Sequence, residues 1–169
     1  MNSKVLLMTM VLASCLGLEA RTAWAEISEA DKAFLDTMAA GDTAEIKLSR
    51  VAASQALSPQ VSDFARTIAS DHGANYQSLL TLCSDKKYAI APHADATHRA
   101  AMLRLHNADS PEAAGRAYLD AVAVDQAALD SLLEKTAGNS NDADIARFAA
   151  DTLTAVKKHE DLATRLASK

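Results

Sequence analysis

The stretch that decides the fold is "SPQVSDFARTIASDHGANYQSLLTLCSD", residues 58–85. Ser58 is a helix-capping residue, and Pro59 suits the first helical position, where a missing N–H costs nothing. Val61, Phe64, Ala65, Ile68, Leu79 and Cys83 then recur at the spacing of one helical face. His72 and Asn75 fall on that same face, where the pattern calls for Leu or Ala. The segment reads as a helix over about 59–85 with two polar residues set into its own core stripe.

Upstream, a helix over about 28–56 is predicted. Ser28-Glu29-Ala30-Asp31 resembles a capping box with an aspartate in the acid position, and Phe34, Leu35, Met38, Leu48, Val51, Ala52 and Ala56 form the stripe. Gly41 marks either an internal cost or a close approach. Only two or three residues separate this helix from the next, so the two make an antiparallel hairpin. Downstream, "KKYAIAPHA" (86–94) is the least patterned stretch, and a short helix over about 95–106 follows it. Ser110-Pro111 restarts the chain as Ser58-Pro59 does. A third long helix (about 111–137) carries Tyr118, Val122, Leu129, Leu132 and Leu133, and Gly138-Asn139-Ser140-Asn141 ends it. A fourth (about 142–168) carries Ile145, Phe148, Ala149, Leu153, Val156, Leu162 and Leu166. Four long amphipathic helices and a short one between the second and third predict an all-α four-helix bundle. The scarcity of glycine (5), proline (3) and aromatics (4%) argues against a sandwich or barrel.

Residues 1–25 read as an export signal. Lys4 precedes the apolar run Val5 to Leu18, and Ala23-Trp24-Ala25 supplies a cleavage site before Glu26. Glu19 and Arg21 interrupt the run too soon for a good membrane span. The same segment also contains Leu12-Ala13-Ser14-Cys15, a lipobox-like run in which Cys15 would be acylated. Cleavage after Ala25 predicts a periplasmic protein of residues 26–169, and lipidation of Cys15 one tethered to the outer membrane. Either product keeps Cys83 on a core stripe, where a buried, inert thiol is expected. The net charge of −5 and the lack of a basic cluster beyond Lys86-Lys87 and Lys157-Lys158 exclude a phosphate-backbone reader, so nucleic acid is not an expected partner. Membrane contact is expected only through a lipid anchor.

Each long helix has a polar interruption on its apolar face: Glu45, then His72 with Asn75, then Asp125 or its neighbour Gln126, then His159. At a rise of about 1.5 Å per residue, three of the four share a level if both interhelical loops lie at one end. Two readings follow. One is a buried hydrogen-bond network of Glu45, His72, Asn75, Asp125, Gln126 and His159 that fixes helix register. The other is a metal site of Glu45, His72, Asp125 and His159, because carboxylates and imidazoles on facing helices are how bundles hold iron or manganese. The Glu-x-x-His spacing typical of di-metal bundles is absent. His93, His98 and His106 lie on or near the linker at spacings that do not share one helical face, and read as surface or rim residues. No nucleophile elbow or phosphate loop is present, so no catalytic residue is expected.

Residues 34–80, an Arg116-Ala117-Tyr118 helix and a histidine late in the last helix resemble the bacterial domain-of-unknown-function 4142 family (DUF4142), over about 31–167. The specific parts are Ala39-Ala40-Gly41 with Glu45, Phe64-Ala65 to Asp71-His72-x-x-Asn75, and Thr152-Leu153 with His159. The resemblance implies an exported, ferritin-like bundle, often labelled an outer-membrane protein. Where the family usually carries Asp-His in the third helix, this chain has Asp125-Gln126. Any shared metal site would lose an imidazole here. The expectation is therefore a non-enzymatic structural or interaction protein of the cell envelope with an unidentified envelope partner and no cofactor. The alternative is a metal-binding or redox protein using iron or manganese.

Overall fold

The computed structural model describes residues 26–55, 57–91 and 97–168. The signal segment, the Ala25 and Cys15 processing sites, Ala56 and His93 lie outside the described residues. Among the described residues five helices follow in order: α1 (Glu29–Ser54), α2 (Pro59–Asp85), α3 (Thr97–His106), α4 (Pro111–Asn139) and α5 (Ala143–Ala167). Three of the long helices are capped by serines. Ser28, Ser58 and Ser110 accept the backbone N–H of Asp31, Val61 and Ala113 at 3.1, 3.3 and 3.1 Å. Asp142 caps α5 by accepting from Asp144 and Ile145. Each cap satisfies a donor that the helix itself leaves unpaired.

One boundary differs from the sequence reading, and one open alternative is decided. The helix of α4 continues through Gly138 and Asn139, and Ser140 closes it with its N–H bonded to the Thr136 carbonyl. Gly41 is not a place of close approach, because a Cβ there would meet nothing within 4 Å. It is a plain internal cost of about 1 kcal/mol relative to alanine.

The helices pack in a ring: α1 on α2, α2 on α5, α5 on α4, and α4 on α1. Side-chain pairs give the directions. Thr152 meets Asn75 while His159 meets Asp71, so α2 and α5 run antiparallel. Ser49 meets Tyr118, and Glu45 lies with Asp125 further along α4, so α1 and α4 also run antiparallel. Hence α2 and α4 point the same way, and their connection crosses the length of the bundle. α3 lies in that crossover and packs against α1 and α4.

The crossover starts with a tight reversal. Lys87 has φ 54°, and Tyr88 N–H bonds the Cys83 carbonyl at 2.9 Å, the pairing of a Schellman turn. The Tyr88 hydroxyl then donates to Asp36 of α1 at 2.8 Å.

This topology puts the α1–α2 and α4–α5 turns at opposite ends, not at one end. The core divides accordingly. One apolar cluster contains Leu48, Phe64, Ile68, Leu105, Tyr118 and Val122. The other contains Phe34, Leu35, Met38, Leu79, Cys83, Leu133, Ile145 and Val156. Burial of each large aliphatic or aromatic side chain stabilises the fold by about 1.5–3 kcal/mol. Between the clusters lies a buried polar layer: Asp42, Glu45, Ser49, His72, Gln126, Thr152 and His159. Among the described residues, no helix is long and apolar enough to cross a membrane.

Candidate functional site

The polar layer is built from short helical spacings. α1 supplies Asp42, Glu45 and Ser49, and α2 supplies His72 and Asn75. α4 supplies Tyr118, Asp125 and Gln126, and α5 supplies Thr152 and His159. Side chains three, four or seven apart stand on one face, so each helix presents its polar groups inward together.

His72 is the hub of one half of the layer. Its Nδ1 lies 2.8 Å from Asp42 Oδ1, and Asn75 Nδ2 donates to Asp42 Oδ2 at 2.8 Å. Asn75 Oδ1 accepts from the Thr152 hydroxyl at 2.8 Å. On the far side of the ring, Gln126 Nε2 stands 3.2 Å from His72 Nε2. Gln126 is 0% exposed. With the proton on Nδ1, a neutral ring donates to Asp42 and accepts from the Gln126 amide. A turned-over amide would instead accept from a protonated ring. Burial alone would lower the His72 pKa, but the Asp42 hydrogen bond and the charges of Glu45, Asp42 and Asp71 outweigh it and leave it raised.

His159 packs against this hub, its ring centroid 5.7 Å from that of His72. Its own carboxylate is Asp71, at 2.9 Å from Nε2. Burial first, and then the nearby His72 and Lys158, hold its pKa below the ordinary value despite Asp71.

The other half of the layer centres on Glu45, which is 2% exposed. Neither carboxylate oxygen accepts from a donor side chain; the carboxyl facing them, Asp125, can only share a proton with Glu45. Burial drives its pKa up to about 7; His72 and His98 pull it down, and Asp125 pushes it further up. Facing it are Asp125 of α4 and His98 of α3, whose Nε2 lies 3.0 Å from Asp125 Oδ2. Ligand-capable atoms of Glu45, His98 and Asp125 all fall within 4.8 Å of one another.

The residues singled out in the sequence therefore divide. Asn75 and Gln126 join His72, and His159 stacks beside it. Glu45 and Asp125 stand together away from those bonds. Among the described residues, Glu45, His98 and Asp125 form the one group of three metal-capable side chains within such reach, and His72 and His159 are outside it. The layer also takes in Ser49, Asp71 and Thr152, and two further residues outside the predicted set, Asp42 and His98, hold its centres. Asp42 lies on the α1 stripe, four residues after Met38, and was legible as a polar interruption. His98 is not a surface histidine: its side chain is 14% exposed. It shares a helical face with Ala101, Met102 and Leu105, the face by which α3 packs on the bundle.

A family model described as "Domain of unknown function (DUF4142)" matches residues 17–166. Among curated proteins, none matches the chain. A solved structure, the DUF305 fragment from Deinococcus radiodurans, is similar in fold. It has a TM-score of 0.76 at 10% identity, with 84% of this chain and 97% of that one covered. An all-helical bundle with this topology and a family match across nearly its whole length place the chain in one family: it belongs to DUF4142, a family of unknown function.

Proposed function

We propose that the protein is an exported helical-bundle module of the cell envelope that acts as a structural or interaction protein and catalyses no reaction. The observation that carries this reading is the way His72 is used. Its two ring nitrogens, the Asp42 carboxylate, the Asn75 amide and the Thr152 hydroxyl answer one another across α1, α2, α4 and α5. A closed network of that kind locks the register of four helices and leaves no spare group at the hub for a substrate. The leader and its alternative processing sites, Ala25 and Cys15, support residence in the periplasm, free or tethered to the outer membrane.

The test is fractionation of intact cells followed by in-cell crosslinking and mass determination. The expected result is an envelope fraction carrying either a chain beginning at Glu26 or an acylated Cys15, crosslinked to a defined envelope protein. Recovery of the full chain in the cytosol overturns the reading. So does a defined turnover that disappears in a folded His72→Gln variant.

A further inference from the structure

We propose that Glu45, His98 and Asp125 form a mononuclear site for a divalent transition-metal cation, set between α1, α3 and α4. This goes beyond the envelope-module reading and does not rest on it.

The first support is the state of Glu45. A carboxylate removed from water keeps its charge only if hydrogen bonds or a cation compensate it. Here both oxygens are buried and no donor side chain is bonded to them; they face a second carboxyl, Asp125, with which Glu45 can only share a proton, whereas Asp42, three residues earlier on the same helix, is fully satisfied. The charged neighbours facing Glu45 are Asp125 and the imidazoles of His72 and His98. His72 is bonded to Asp42 and Gln126, while His98 and Asp125, already 3.0 Å from one another, face Glu45 from α3 and α4 and would complete a coordination sphere with it.

Geometry is the second support. Tetrahedral zinc holds nitrogen and oxygen ligands at about 2.0–2.2 Å, so neighbouring ligand atoms stand about 3.4 Å apart. One ligand atom from each of the three groups lies within 4.8 Å of the other two, so the side chains would have to draw in by about an ångström to close round one ion. The three ligands come from three helices, and α3 contributes by packing His98 into the seam between the other two.

The donor set gives the class of ion. An imidazole suits zinc, iron, copper or nickel, and carboxylates suit harder ions such as manganese, so one nitrogen and two oxygens favour divalent zinc, manganese or iron over calcium. Two carboxylates against a divalent ion leave the buried site neutral. Three protein ligands leave coordination positions for water or an outside ligand. His98 also lines a groove of about 860 Å³ with Ala44, Lys47, Tyr76 and Met102.

The test uses the protein as the cell processes it, stripped of metal and titrated with Zn²⁺, Mn²⁺, Fe²⁺ under anaerobic conditions, and Ca²⁺. One transition ion per chain is expected, with Ca²⁺ much weaker. Loss of an outer-sphere partner typically weakens a metal site by about 10–100-fold, so Glu45→Gln and His98→Ala should each exceed that. The exposed His106 is the control, and His106→Ala should bind as the parent does. Because a core variant could misfold, the parent chain carries an independent readout. Labelled with ¹⁵N-histidine and loaded with Mn²⁺, it should show hyperfine coupling to one imidazole nitrogen. No uptake, uptake unchanged by Glu45→Gln and His98→Ala, or absence of nitrogen coupling overturns the proposal.

Discussion

The two halves of the polar layer sit side by side and solve burial differently. Around His72 each acid has a donor: Asp42 is matched by an imidazole and an amide, and Asp71 by His159. Around Glu45 an acid faces a second acid, Asp125, and its oxygens accept from no donor side chain. Both kinds of residue interrupt an apolar stripe in the same way. A polar residue on a core face therefore says only that something must compensate it. Whether the compensation is another side chain or an outside ion depends on what the neighbouring helices bring.

The largest test of this contrast is Asp42→Ala. It removes the acceptor shared by His72 and Asn75, and should cost about 3 kcal/mol of unfolding free energy, because it breaks a buried pair and strands its partners. Urea denaturation measures it. A loss below about 1 kcal/mol would mean that the His72 network does little for stability.

Glu45→Met should act in the opposite direction. In metal-free protein it replaces an unanswered buried carboxyl with an apolar side chain of similar length, and should stabilise by about 1–2 kcal/mol. A destabilised variant would show that the carboxyl already has a partner.

The pH dependence of the metal-free parent sharpens the same point. Glu45 titrates near 4.5 when unfolded and at about 7 when folded, so between those values the native state binds more protons. Its contribution is complete below the unfolded value and is lost as pH rises through about 7, so stability should fall across that window. The Glu45→Met variant should have a flatter profile there. Equal slopes in parent and variant would break the assignment.

Tyr118→Phe gives the smallest effect. The tyrosine hydroxyl and Ser49 form a neutral 2.8 Å pair on the same α1–α4 seam as Glu45 and Asp125. Losing it should cost about 1 kcal/mol in thermal or urea unfolding. A cost as large as that of Asp42→Ala would show that neutral pairs carry the layer as much as charged ones do.

Much of the fold was legible because helix signals are local. Ser58-Pro59 and Ser110-Pro111 mark helix starts by their own backbone chemistry, and the predicted start at Pro59 and end at Asp85 match α2. The α4 end was misplaced because Gly138 and Asn139 are tolerated within a helix when Ser140 supplies the cap. Part of the His72 network is also legible: Asn75 shares its face at a three-residue spacing, and Gln126 interrupts the α4 stripe as a member of the expected network. Asp42 was passed over although it sits on the α1 stripe. His98 is not legible from its sequence neighbours, because its role depends on where the crossover lays α3.

The sequence by itself determined the helices, their caps, their apolar faces and the polar residues set into them, since all of these follow from periodicity and neighbours within about four positions. Tertiary structure decided which acid meets which imidazole. The side-chain pairings place the two hairpin turns at opposite ends of the bundle. That parallel placement of α2 and α4 routes the crossover along α1 and α4, and brings His98 to Glu45 and Asp125. Pairings between residues 53 and 80 positions apart depend on helix order and direction, which no local pattern encodes.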